Sequence, residues 1–402
     1  MGARLTARGR GAQVQSANFP LFLDAIQGRH AGFDGEATLV IAGPAGSVRV
    51  PISTRPVELQ DLGAPVVRVH AVALEDPDFQ PNQAFLAALK PALQGVGLAL
   101  VLQAEVASDR WMQDAYELGV LGGAGPAMQV WIKLDRSAPD QGLFDWAERH
   151  LLAPGVGVVY VGASGASPLN GGGNIDVLPG GRPLIGADRG GPLLGSKKQS
   201  RSMAPAEAGW LAAQGEAPLA LDVGWLKTGH LDEIVQPILV RGSTVVVAAA
   251  DPRLGLALLA RLDAATKLGG KPVQRWRSDP EFSKIQEEAA LRVEGALAAL
   301  KTALAPRGLR VVPLPVLFEL LEAPEGRLAR SILPNAANLF VVGERAFYGA
   351  QGVSLFDREV TAQLAAAGLQ AVALDVSAYH PNGGDAHCAV LLERRPTPRT
   401  GR

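Results

Sequence analysis

The chain has one cysteine in 402 residues. That excludes an internal disulfide framework and leaves a single thiol that is either an incidental buried residue or a reactive one. Charged residues are few, 19%, and nearly balanced at a formal net charge of −1. The basic ones are scattered, so the electrostatic stripe that a nucleic-acid partner requires is missing. Long apolar runs are missing too: none follows Arg4, Arg8 and Arg10 to make a signal peptide, and later apolar stretches are broken by charges or by Gly and Ser. The expectation is a soluble, cytoplasmic protein with neither a nucleic-acid nor a membrane partner.

What is present is apolar residue, 48% of the chain, enough for a sizeable packed core. Short apolar runs alternate with helical patterns between Gly, Pro, Asp and Asn, the pattern of an α/β fold. Strand candidates are Val66 to Leu74, Leu98 to Val106, Val156 to Val161, Thr244 to Ala249 and Leu309 to Leu314. A helix is predicted to begin near Ser278, where Ser278-Asp279-Pro280-Glu281 offers an N-cap, a first-turn proline and a capping glutamate, and to stop before Pro306 and Gly308. Ala37 to Val50 reads as two short strands around Gly43-Pro44-Ala45-Gly46, so residues 1–64 are read as a small β-rich segment. The glycine-dense stretch 162–195 reads as a loop. No internal repeat is evident, and periodicity alone points to a doubly wound parallel sheet.

Reactive side chains concentrate in three segments: Asp109-Arg110-Trp111-Met112-Gln113-Asp114, Thr228-Gly229-His230-Leu231-Asp232-Glu233, and Gly383-Gly384-Asp385-Ala386-His387-Cys388. In a strand, His230 and Asp232 would share one face. The thiol of Cys388 follows a glycine turn and opens an apolar run, a place where it can be both held and exposed. Cysteine, histidine and aspartate that are remote in sequence but able to converge form the general pattern of an activated-thiol enzyme. His230, Asp232, His380, His387 and Cys388 are also zinc-competent, but none of their spacings matches a zinc signature. His30, His70 and His150 are read as ordinary core histidines.

Together these segments resemble the catalytic domain of the protein-arginine deiminases, which carries Asp-Arg-Trp-x-Gln-Asp, then Gly-His-x-Asp-Glu, then His-Cys; here they stand at 109–114, 229–233 and 387–388. Smaller matches are Gly173-Asn174-Ile175-Asp176-Val177, Ser200-Arg201-Ser202-Met203, Pro334-Asn335 with Asn338, Tyr379-His380 and Arg394-Arg395, so the similarity covers residues 65–402. The resemblance implies a pentein, a five-fold pseudosymmetric α/β propeller with its active site on the central axis. Residues 1–64 would then be at most an immunoglobulin-like remnant ahead of a catalytic domain.

The resemblance also implies calcium-dependent hydrolysis of peptidyl arginine to peptidyl citrulline and ammonia through a cysteine thiouronium. Cys388 matches the nucleophile and His230 the general acid and base. Asp114 and Asp232 match the aspartates that hold the guanidinium, and Trp111 lines the channel for the substrate's aliphatic stem. The calcium ligands match Gln113, Glu117 and Asp176 by side chain and Gly172 and Ile175 by carbonyl, all oxygen donors as a hard cation requires. Ala115 stands where the family usually has an acidic residue, so its other calcium sites read as degraded.

Some positions depart from the family. Gln141 precedes Gly142-Leu143 where an arginine grips the substrate backbone, with Arg136 nearby as a possible replacement, and Pro381, Asn382 and Gly383 stand where basic residues precede the cysteine. The expected partner is an arginine-containing protein or peptide. The alternatives are a small guanidine such as free arginine or agmatine, and a non-catalytic guanidinium-binding protein.

Overall fold

The structure is a computed structural model that describes residues 36–396, apart from 44–45, 54–55, 76–80, 105–108, 123–126, 137–140, 162–166, 190–192, 196–201, 306 and 324–325. The minor match at Ser200 and Arg201 therefore lies outside the described residues, as do His30 and the N-terminal arginines.

Five sheets repeat one pairing pattern, a central strand with an antiparallel neighbour on one side and a parallel one on the other. Val66–Val72 lies between Val390–Arg394 and Ala99–Gln103, and Met128–Leu134 between Tyr116–Leu121 and Val156–Val161. Pro183–Ala187 lies between Ile175–Val177 and Leu219–Asp222. Thr244–Asp251 lies between Val235–Arg241 and Gly308–Pro315, and Arg345–Gly349 between Phe340–Val342 and Gln370–Leu374. A parallel partner needs a crossover, and each crossover here carries helix, such as Gln83–Gln94, Pro205–Ala213 and Ser354–Ala366. The fold is thus mixed α/β, and the single doubly wound parallel sheet suggested by periodicity does not form. Periodicity marks strands without saying which strands pair, and the repeat lies in the pairing rather than in the residues.

All five strand candidates form, although the second is described only as Ala99–Gln103. The long helix is Pro280–Ala303, and its cap is Asp279, whose carboxylate accepts the Glu281 N–H at 2.9 Å. Ser278 instead closes the preceding helix Val273–Arg277. Phe282, Ile285, Ala289, Val293, Ala296 and Leu300 recur at three- and four-residue spacing and are buried. All but Phe282 pack into a core that includes Val245, Val247 and Phe318, while Phe282 packs with Trp276 and Leu317.

The N-terminal hairpin pairs Glu36–Gly43 with Gly46–Ser53. Glu58–Leu59 adds an edge strand to Tyr116–Leu121, and Val57 and Leu59 are buried with Val130, Ile132 and Val161. Residues 57–60 therefore pack with the part expected to begin at 65. The glycine-dense stretch, expected as a loop, contains strands Ile175–Val177 and Pro183–Ala187. At three and five residues they are too short for alternation to stand out. Among the described residues no helix is long and apolar enough to cross a membrane.

Two features of this architecture place the site. The C-terminal strand Val390–Arg394 pairs with Val66–Val72, which carries Cys388 back to the beginning of the fold. The turn around Gly172 abuts the helical turn Met112–Ala115, and a Cβ on Gly172 would lie 2.2 Å from the Gln113 carbonyl oxygen. Only glycine permits that approach.

Candidate active site

The first motif is a single helical turn, Met112–Ala115, entered through Trp111, whose N–H is accepted by Asp109 at 3.1 Å. This turn directs Asp114 toward the last glycine of the neighbouring run Gly171-Gly172-Gly173: Asp114 Oδ1 accepts the Gly173 N–H at 3.2 Å and lies 3.6 Å from His230 Nδ1. Trp111 packs edge-on to Tyr379 at 5.8 Å between ring centroids. A Cβ on Gly384 would come within 2.5 Å of the Trp111 ring and 3.1 Å of Cys388 Cβ. The indole thus lies against the glycine turn beside the thiol.

The second motif is not a strand. Gly229 takes φ +84°, His230 is extended, and Leu231–Glu233 is a single 3-10 turn. The cause is Glu233, whose Oε1 accepts the N–H groups of both Gly229 and His230 at 3.0 Å and folds the chain back on itself. His230 and Asp232 nevertheless reach one site. A Cβ on Gly173 would lie 2.8 Å from His230 Nδ1, 2.9 Å from Asp114 Oδ1 and 3.1 Å from Asp232 Oδ2.

His230 Nε2 lies 2.8 Å from the Pro168 carbonyl oxygen. A carbonyl only accepts, so Nε2 carries a proton. Nδ1, which has no hydrogen-bond partner, is then the atom that can take up or release a proton toward the site. Burial pulls the imidazole down, but Asp114, Asp232 and Glu233 outweigh it and raise His230 above its ordinary value.

The third motif places Cys388 two residues before its strand, 3% exposed. Its Sγ lies 3.4 Å from Asp232 Oδ2 and accepts from Asn338 Nδ2 at 3.2 Å. His387 Nδ1 meets the same Asp232 oxygen at 2.8 Å, while Asp232 Oδ1 is buried without a partner. Burial pushes the thiol well above its ordinary range, and Asp232 and Asp114 push it further. Burial also raises Asp114, partly offset by His230, and lifts Glu233 to about 7. Asp114, Asp232 and Glu233 crowd His230 on one side of the site, where a bound guanidinium would bring positive charge to the carboxylates.

Asp114, His230, Asp232 and Cys388 are therefore brought together from three remote segments. Arg136 is buried and paired with Asp109, so a carboxylate of the first motif already engages it. His387 and Asn338 contact the reactive groups although sequence reasoning gave neither a role. Adjacency to Cys388 was a signal for the first, and spacing from Asn335 for the second.

On the far side of the glycine turn, Gln113, Glu117, Ile175 and Asp176 line a cavity of about 80 Å³ together with His387 and Arg394. Burial raises Glu117 well above its ordinary range, and Asp176 raises it further. Asp176 itself is lifted to about 6 by burial, against the pull of His387 and Arg394. The buried Glu117 and half-buried Asp176 carboxylates, with the Gln113 amide and adjacent carbonyls, are a donor set that fits a hard cation. Among the described residues no group of three or more His, Cys, Asp or Glu side chains could hold a metal, so any cation here would rely on amide and backbone oxygens as well.

The family model for protein-arginine deiminase (PAD) matches residues 50–399. Protein-arginine deiminase type-1 of Homo sapiens is 27% identical over 330 residues, 75% of this chain and 48% of that protein. Type-4 of Mus musculus is 27% identical over 350 residues, 78% of this chain and 51% of that protein. The chain spans about half the length of the curated relatives it matches. Among solved structures, an agmatine deiminase of Enterococcus faecalis aligns at TM-score 0.56 and 13% identity, over 85% of this chain and 97% of that one. A C. jejuni agmatine deiminase aligns at 0.53 and 13%, over 84% and 96%. At such identity these likenesses speak to the fold alone. The family match covers most of the chain, motifs and glycine turn included, and the chain belongs to the protein-arginine deiminase family.

Proposed function

We propose that the protein hydrolyses the guanidinium of a peptidyl arginine to citrulline and ammonia, with calcium as its cofactor, on a five-fold pentein propeller. The observation that carries the reading is the convergence of Asp114, His230 and Asp232 around Gly173, with the buried Cys388 thiol 3.4 Å from Asp232 and with His230 Nδ1 and Asp232 Oδ1 left without hydrogen bonds.

In this reading Asp114 and Asp232 take the two sides of the planar guanidinium, and its charge favours ionisation of the neighbouring thiol, whose proton leaves to solvent while His230 stays protonated. Sγ attacks the central carbon as a thiolate. His230 Nδ1 donates a proton to the departing nitrogen, ammonia leaves, and a thiouronium joins substrate to Cys388. The now neutral Nδ1 takes a proton from a water that attacks the same carbon. The C–S bond breaks as the new hydroxyl passes its proton to the departing sulfur, and citrulline leaves with the thiol restored and His230 protonated again. Gln113, Glu117, Asp176 and the carbonyls of Gly172 and Ile175 would hold calcium, which would offset the two carboxylates and stiffen the glycine turn. Because Gly172 faces that donor set and Gly173 the catalytic one, a rigid turn fixes Asp114 relative to His230.

A second reading keeps the chemistry and changes the substrate to free arginine or agmatine. Engagement of Arg136 by Asp109 favours it, because no replacement is then offered for the arginine missing at Gln141. The test is citrulline and ammonia release from a blocked arginine peptide, with millimolar calcium and then with a chelator, beside free arginine and agmatine. The expected result is peptide turnover that appears only with calcium. Faster turnover of a small guanidine would replace the substrate, equal turnover in chelator would remove calcium, and silence on all three would leave a binding protein.

A further inference from the structure

We infer that Asn338 is a positioning residue for the nucleophile, fixing the Cys388 backbone through its oxygen and hydrogen-bonding the sulfur through its nitrogen as negative charge develops there. This rests on the deiminase reading. Asn338 is 1% exposed. Its Oδ1 faces the backbone N–H groups of His387 at 2.9 Å and Cys388 at 3.4 Å, and its Nδ2 faces Sγ at 3.2 Å. The orientation follows from elementary chemistry: backbone N–H groups only donate, so the amide oxygen must face them, and the NH2 is turned to the sulfur.

The partners of Sγ differ in what they do when it loses its proton. Asp232 Oδ2, at 3.4 Å, accepts from an S–H but repels an S⁻. Asn338 donates, and its bond strengthens as the charge forms. The Asp385 backbone N–H is the other donor. Asn338 is itself held by a tight turn, its N–H accepted by the Asn335 carbonyl at 3.1 Å. Asn335 Nδ2 donates to the Glu233 carbonyl at 2.8 Å, and its N–H to Asp385 at 2.8 Å. The turn therefore braces the second motif against the third, and Asn338 delivers that rigidity to the reacting atom.

Asn338→Asp separates the two roles. It keeps an oxygen for both backbone amides and loses the donor to sulfur. With the full chain, calcium and a blocked arginine peptide, kcat is expected to fall on the order of 100-fold. KM should stay within about threefold, because Asp114 and Asp232 still grip the guanidinium. Asn338→Ala should lose at least as much kcat. Wild-type kcat in Asn338→Asp, or a loss confined to KM, overturns the inference. If the aspartate variant does not fold, Asn338→Ser serves: its side chain is too short to span sulfur and amides, so wild-type kcat in it is equally fatal. An inactive wild-type protein would instead sink the deiminase reading, so the two failures are distinct.

Discussion

Cys388→Ala is expected to abolish citrulline and ammonia release, lowering kcat by at least about 10⁴-fold, the scale on which loss of a covalent nucleophile is felt. There is no substitute, since Cys388 is the only cysteine in the chain. The fold should survive. The residue sits in a row with Ala386 and Ala389, both fully buried, and removing one sulfur atom leaves a small void whose cost is about 1 kcal/mol. A thermal melt close to wild type beside a complete loss of turnover is the expected pair of results. Residual activity above about a hundredth of wild type would mean that water attacks the guanidinium directly.

Asp232→Asn is expected to be nearly as severe, with kcat/KM down about 10³-fold, because truncating one partner of a buried charged contact costs about 2–5 kcal/mol. The substitution is almost isosteric, so its effect isolates charge. One Asp232 oxygen serves His387 and Cys388, and the other is buried without a partner. An asparagine must turn its NH2 either to His387 and the sulfur or to the guanidinium, where donor meets donor. Either choice also removes the negative charge that faces a substrate cation. Steady-state kinetics on a blocked arginine peptide should show a raised KM as well as a lowered kcat. A change of less than about threefold would place the guanidinium elsewhere.

The candidate site was legible in the sequence through three short motifs in order, where residue identity alone pointed only to an activated thiol. The resemblance carried by those motifs gave Asp114, His230, Asp232 and Cys388 their expected roles, and the structure brings the first three around Gly173 with the thiol against Asp232. Legibility failed where the role depends on a partner remote in the chain. Glu233 turns its segment back through two hydrogen bonds, which a strand pattern cannot reveal. Arg136 looked available for substrate until Asp109 was found beside it. Asn338 and His387 act through contacts with Cys388 and Asp232 that exist only once 50 and 155 residues of separation have been closed. At the level of the fold, strands were read well because alternation and flanking turns are local. The fivefold recurrence of sheet pairing was implied by the resemblance but not visible in the periodicity, because the sheets share geometry and little sequence. Strands as short as Ile175–Val177 leave no period to read.

The most direct test of the central claim is a rapid acid quench of the protein turning over a blocked arginine peptide, followed by intact-mass measurement and peptide mapping. The account predicts a covalent adduct with the mass of the substrate less one ammonia, carried by the peptide that contains Cys388 and absent from Cys388→Ala. Sustained turnover with no adduct, or an adduct on any other residue, would contradict it.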